Sequence, residues 1–194
     1  MGNQSQPAHM AAETEMRELA RWEITPDRSA IRFSIFEQSI TTVTGCFRRF
    51  HGTLQFDPHR IELGAVEIEI EAASIDTGNE VRDRHLRSAD FFDVAQYPAI
   101  DFRSRAIQPA TENRFRVTGH LLLHGVRREV TLYAMFEGIR RDTDGSERAC
   151  FTASTQINRT DFGMNWNVPL PFGRRLLDES VRIQLDIRAA RVGT

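Results

Sequence analysis

The sequence predicts an all-β domain, an antiparallel eight-stranded barrel with a short helical insert and a helix-prone N-terminal segment. Three observations carry this. Apolar and polar residues alternate with period two through most of the chain from Trp22 onward, as in strands that bury one face. Short turn-forming segments separate these stretches, which suits hairpins between antiparallel neighbours. The inward faces mix small residues such as Ser104, Gly119, Ala134 and Ala153 with large Phe, a composition that fits a tapering closed interior better than a sandwich with long crossovers.

Taken in order, residues 1–21 form an N-terminal extension. Residues 1–9 are polar and contain Pro7, which predicts a disordered lead-in. Met10 to Ala20 has helical composition, with Met16, Leu19 and Ala20 as a narrow apolar stripe. It is read either as a short helix across one end of the domain or as a frayed extension. The barrel domain spans residues 22–190, and 191–194 is a tail.

Within the domain Ile31, Phe33 and Ile35 alternate with Arg32 and Ser34, and Leu54 and Phe56 flank Gln55. Val66, Ile68 and Ile70 alternate with Glu67, Glu69 and Glu71; a helix would scatter those glutamates round its circumference. Ile100, Phe102 and Ser104 share a face, followed by Phe115 to Leu123, Val130 to Phe136, Phe151 to Ile157 and Val181 to Ala189 at every second position. Turn chemistry marks the connections at Asp57-Pro58, Gln108-Pro109 through Asn113, His124-Gly125 and Asp142 through Gly145.

Only Ser74 to Phe102 breaks the pattern. It is dense in charge, with Asp76, Arg82, Asp83, Arg84, His85, Arg87 and Asp90 beside Phe91, Phe92 and Tyr97. Asn79 is placed to cap a short helix whose apolar face would be Val81, His85, Leu86, Ala89 and Phe92. The charges have two readings: a polar rim in which arginines bind an anionic head group, or a clasp in which Arg82, Asp83, Arg87, Asp90 and Asp93 pair with one another. A second cluster, Asn158, Arg159, Asp161 and Phe162 to Trp166, contains Gly163 as a turn or bulge and puts Trp166 over a barrel end.

Composition excludes several function classes. A net charge of −2 lacks the basic footprint of a nucleic-acid binder. No apolar run approaches the length of a membrane span. Residues 1–21 contain no apolar signal region, so the chain as written reads as cytoplasmic, or as periplasmic if a signal has been removed. Cys46 and Cys150 fall inside expected strands and read as free thiols. His85, His120 and His124 with Asp83 lack metal-ligand spacing. Ser74, His85 and Asp76 have triad residue types without a triad signature. Neither a metal nor a catalytic site is expected.

Six stretches together resemble the YceI-like family of polyisoprenoid-binding proteins. They are SIDTGNEVRDRHLRSADFFDVAQYPAIDF from Ser74, GCFRRFHGTLQFDP from Gly45, VTGHLLLHGVRREVTL from Val117, INRTDFGMNW from Ile157, and the ends WEITPDRSAIRFSI and VRIQLDIRA. The resemblance implies a lipocalin-like barrel holding a long isoprenoid or fatty amphiphile, without catalytic residues, in proteins that are often homodimers and often periplasmic. It covers Asp76, Thr77, Gly78, Asn79, Arg82, Asp83, His85, Leu86, Asp90, Phe91, Phe92, Tyr97 and Pro98. Departures are Arg28-Ser29 for His-Ser, Glu37 for a His after the opening strand, and Arg127 for Thr.

The resulting expectation is a non-catalytic bacterial carrier with no cofactor beyond a bound isoprenoid lipid or quinone. Phe33, Ile35, Val66, Ile68, Phe102, Val117, Leu121, Leu132, Phe151 and Ile183 would surround the tail, and Asn79, Arg82 and Asp83 the head. The alternatives are a packed scaffold that binds a partner through the charged insert, and an isoprenoid-modifying enzyme.

Overall fold

A computed structural model describes residues 19–37 and 41–192. The helix expected over Met10–Ala20 lies outside the described residues except at its end, where Leu19 is buried and Ala20 already opens a strand.

Eleven strand segments build eight antiparallel staves. β1 (Ala20–Ile24) and β2 (Ala30–Glu37) run on as one stave, broken by a 3-10 turn at Pro26–Arg28. β3 (Thr41–Phe47) and β4 (Phe50–Phe56) form the next, kinked at Arg48 and Arg49. β5 (Ala65–Glu71) and β6 (Ile75–Asp76) form the third, interrupted by a 3-10 turn at Ala72–Ser74. β7 (Ala99–Thr111), β8 (Arg114–Leu123), β9 (Val126–Arg141), β10 (Glu147–Asn158) and β11 (Leu177–Arg191) complete the meander. β11 pairs with β10 on one edge and with both β1 and β2 on the other, so the sheet closes. Closure pairs each stave with a neighbour on both sides over part of its length.

The breaks lie beside one another, stitched by Arg48 N–H to the Ser74 carbonyl and Glu71 N–H to the Arg49 carbonyl, both 3.0 Å. The first three staves therefore bend along a common line. The short β6 pairs with β3 alone, and the insert covers its other side. Arg87 donates from Nε to the Ala73 carbonyl and from Nη2 to that of Ile75, both at 2.8 Å. Ala72 N–H reaches Pro98 O at 2.9 Å.

The expected faces are the observed ones. Phe115, Val117, Leu121 and Leu123 are buried along β8, as are Thr155 and Ile157 along β10. Where two rings turn inward they lie over glycine: a Cβ on Gly45 would stand 2.4 Å from the Phe33 ring, and one on Gly119 2.6 Å from Phe102. Those glycines give the rings room to lie flat against the wall. One boundary differs from expectation. Pro109 belongs to β7 rather than to a turn, and only Glu112 and Asn113 connect β7 to β8. A register shift between Pro109 and Thr111 gives the proline an irregular position, where a missing N–H is tolerated.

Arg87→Ala should lower stability by about 2–3 kcal/mol, since it strips charged donors from two carbonyls. The exposed Arg84→Ala should change it by less than about 0.5 kcal/mol. Urea unfolding of the two variants checks this, and equal midpoints would refute the clasp.

Candidate functional site

The interior is filled at one end and hollow at the other. At the filled end Trp22 stacks on Phe56 at 5.2 Å, and Phe56, Phe136 and Phe151 meet one another at 4.9–5.9 Å between centroids. These four rings form a floor. At the other end lies a cavity of about 500 Å³. A second space of about 60 Å³ lies toward the floor. Ile68, Leu132 and Leu185 line both and form a waist between them.

Cross-strand register orders the wall. Ile31, Phe33 and Ile35 face Leu185, Ile183 and Val181 across β2 and β11. Phe102 lies between Ile68 and Leu121. Thr155 lines the same space, but its hydroxyl donates to Thr131 O at 2.8 Å and presents no polar group. Asn79, Arg82, His85 and Arg159 line the cavity from the insert and from the turn after β10, beyond the apolar rows. The cavity is thus mostly apolar along its depth, with Arg32 as an exception in the β2 wall, and polar at its mouth.

The insert roofs that mouth. Helix α1 (Glu80–Arg87) starts at Asn79, whose Oδ1 accepts from Arg82 N at 3.0 Å. Acidic residues sit in its first turn and Arg84, His85 and Arg87 in its last, which suits the helix dipole. Val81 is 74 % exposed yet lines the cavity, so it stands on the rim. Leu86 and Phe92 pack on the core. Ala89 differs from expectation: it follows the end of the helix and faces solvent. The charges clasp the insert mainly to backbone and polar groups rather than pairing among themselves. Asp83, 5 % exposed, accepts from Thr77 N at 3.0 Å and Thr77 Oγ1 at 2.5 Å. Arg82 donates to Thr77 Oγ1 at 2.7 Å and to Thr77 O at 3.0 Å.

Aromatic contacts join this roof to the turn after β10. His85 lies 4.6 Å from Trp166 and 5.1 Å from Phe91, between ring centroids. His124 and Gly125 form a two-residue turn with φ of +51 and +72, as a tight hairpin requires. A Cβ on Gly125 would stand 2.5 Å from the Tyr97 ring, and His124 Nδ1 lies 3.0 Å from Phe162 O. Trp166, 5.1 Å from Phe91, lines the cavity beside the insert, at the end of the barrel that the insert covers.

Seven of the expected tail residues line the larger cavity: Phe33, Ile35, Ile68, Phe102, Leu121, Leu132 and Ile183. Val66, Val117 and Phe151 line the smaller space below the waist. Of the expected head residues, Asn79 and Arg82 line the mouth, and Asp83 lies behind them, occupied by Thr77. Sequence reasoning did not select Arg159, Met164 and Trp166 as lining residues. A signal for Arg159 was present: it continues the inward phase of Phe151, Ala153, Thr155 and Ile157.

Arg159 is 3 % exposed. Its Nε donates to Asp178 O at 2.9 Å, and Nη1 to Met164 O at 2.5 Å and Trp166 O at 2.9 Å, while Nη2 has no hydrogen-bond partner among the described residues. Burial pushes its pKa down, opposed by Glu179 and reinforced by Arg175.

The polar groups once weighed for catalysis are engaged separately. Ser74 Oγ donates to Glu71 O at 2.6 Å, Asp76 accepts from Gly78 N and Arg48, and His85 Nε2 pairs with Asp90 at 2.8 Å. Among the described residues no three His, Cys, Asp or Glu side chains converge as metal ligands. No described helix is long and apolar enough to cross a membrane. Cys46 and Cys150 are free thiols.

A family model described as a YceI-like domain matches residues 22–189. A UPF0312 protein of Azotobacter vinelandii is 35% identical over 134 residues, covering 69% of this chain and 70% of its own. Among solved structures, a YceI protein of Campylobacter jejuni superposes with a TM-score of 0.71 at 26% identity, over 79% of this chain and 88% of that one. A polyisoprenoid binding domain from Saccharophagus degradans, implicated in plant cell wall breakdown, superposes with a TM-score of 0.67 over 90% of this chain and 100% of that one. At 16% identity it shares the fold alone.

The Gly78 N–H first, and then Arg48, hold the Asp76 carboxyl below the usual aspartate range. Its stabilisation should be fully present above that range and lost as pH falls through the depressed folded value. Acid unfolding of Asp76→Asn against the parent protein should show a gap near neutrality that closes only at strongly acid pH. A constant gap would contradict the assignment.

Proposed function

The chain belongs to the YceI-like family, and from that premise we propose that its barrel binds a long-chain isoprenoid or similar amphiphilic lipid, without catalysis, as a carrier or store. The observation that carries this is the cavity of about 500 Å³, lined mostly by apolar side chains, with Asn79, Arg82, His85 and Arg159 gathered at its mouth. That volume lies within the usual range for ligand pockets, roughly 300–1,000 Å³. A packed scaffold has no use for it.

Phe33, Ile35, Ile68, Phe102, Leu121, Leu132 and Ile183 would surround the tail. Val66, Val117 and Phe151 would meet only a tip that passes the waist. At the mouth Asn79 offers its amide N–H groups, its oxygen being used as the helix cap. Arg82, steadied by Thr77, offers the rest of its guanidinium. Asp83 holds the Thr77 turn that positions both.

Magnitudes rank these contributions. At roughly 30 Å³ per heavy atom, the cavity takes on the order of 17 heavy atoms, close to three isoprene units and a head. Each buried methylene contributes roughly 0.8 kcal/mol, so such a tail gains on the order of 10 kcal/mol before ordering costs. A charged hydrogen bond adds about 1.5–3 kcal/mol. The tail therefore sets affinity, and the head sets orientation and choice of ligand, a quinone and a prenyl phosphate being the natural candidates.

Native mass spectrometry of the purified protein tests the reading. A lipid adduct, or one-to-one uptake of added prenyl lipids of about fifteen carbons, is expected; an empty barrel that takes up none would sink it. Leu132→Ala should open the waist and shift preference toward longer chains, at a stability cost of about 2–5 kcal/mol. An unchanged chain-length profile in a folded Leu132→Ala protein would show that the waist does not limit the site.

A further inference from the structure

Arg159 is costlier than its structural duties require. Among the described residues it binds three backbone carbonyls and no carboxylate. The nearby Glu179 is committed elsewhere, to Arg175 at 3.5 Å and to Asn158 Nδ2 at 3.4 Å. A full positive charge is thus held almost without solvent contact beside a mostly apolar cavity, and its Nη2 group has no hydrogen-bond partner among the described residues. Buried charge of this kind is normally compensated by an opposite charge. The rest of the lining shares the bias. Its charged side chains are Arg32, Arg82 and Arg159 against Glu37 alone, and the imidazole of His85 is already paired with Asp90.

We propose that the cavity selects an acidic amphiphile, whose carboxylate or phosphate oxygen accepts from Arg159 Nη2 while its chain runs toward the Phe56 floor. This rests on the lipid-site reading and narrows it. A head group of this class would supply both the acceptor and a counter-charge in direct contact, where the protein offers only the more distant Glu179, whereas an alcohol or a quinone carbonyl would supply only the acceptor. Arg82, on the rim, would meet the same anion from the solvent side.

The test needs one chain with three heads. Farnesoic acid, farnesyl monophosphate and farnesol are titrated into the delipidated protein, and binding is followed by calorimetry and by tryptophan fluorescence, to which Trp22 and Trp166 both contribute. The acid or the phosphate should bind at least tenfold tighter than the alcohol, and the stronger of the two identifies the head-group class. In Arg159→Gln that ratio should fall below about threefold. Equal affinity for farnesol and both anions in the parent protein overturns the proposal, and that comparison holds even if the variant does not fold. A folded Arg159→Gln that keeps the full ratio also overturns it. If farnesol binds as well as the anions, the lipid site stands and only the acidic head is lost. If none of the three binds, the lipid-site reading fails and takes this proposal with it.

Discussion

The short ladder between β1 and β11, Trp22 to Ile24 against Arg191 to Ala189, is the constraint on which the rest depends. With β2 continuing along the same edge of β11, it turns an eight-stave meander into a closed surface. Once closed, the sheet fixes an interior whose width is set by strand number rather than by the side chains available. Four aromatic rings fill the cross-section at one end. Toward the other end the wall is mainly Val, Ile and Leu, with the Phe33 and Phe102 rings against Gly45 and Gly119 and a cluster of Phe47, Phe91 and Phe92 near the insert, and a cavity is left between them. The cavity follows from this uneven filling.

Closure also explains the charged insert. The breaks in the first three staves bend the wall but leave β6 short and unpaired on its outer side. Backbone carbonyls there need donors. Arg87 supplies them, and Asp83, Arg82 and Thr77 fix the turn that brings α1 into place. Most of the charge in this segment is consumed by the barrel's own backbone. The same clasp sets Asn79, Arg82 and His85 at the mouth, so a structural requirement and a polar rim share one element.

Much of this was legible before any coordinates. The alternation of β5, β8, β10 and β11 identified their inward faces because side-chain direction in a strand is a local property with period two. Asn79 as a cap and His124-Gly125 as a tight turn were readable for the same reason, since each acts within a few residues of itself. The Pro109 boundary was misplaced because a bulge can absorb a proline that sequence alone assigns to a turn. Ala89 was drawn into a helix that ends at Arg87, since Ser88 turns extended and donates its N–H to His85 O.

By itself, then, the sequence determined the class of fold, the faces of the strands and the family. Tertiary structure decided that the lumen is hollow at one end, that Ile68, Leu132 and Leu185 make a waist, and that Asp83 turns away from the mouth. It also decided that Arg159, one step further along an inward row, is buried with no carboxylate bonded to it among the described residues. Local periodicity tells a side chain which way to point. Whether space or a counter-charge awaits it depends on staves such as β2 and β11, about 150 residues apart in the chain, and on how the sheet closes between them.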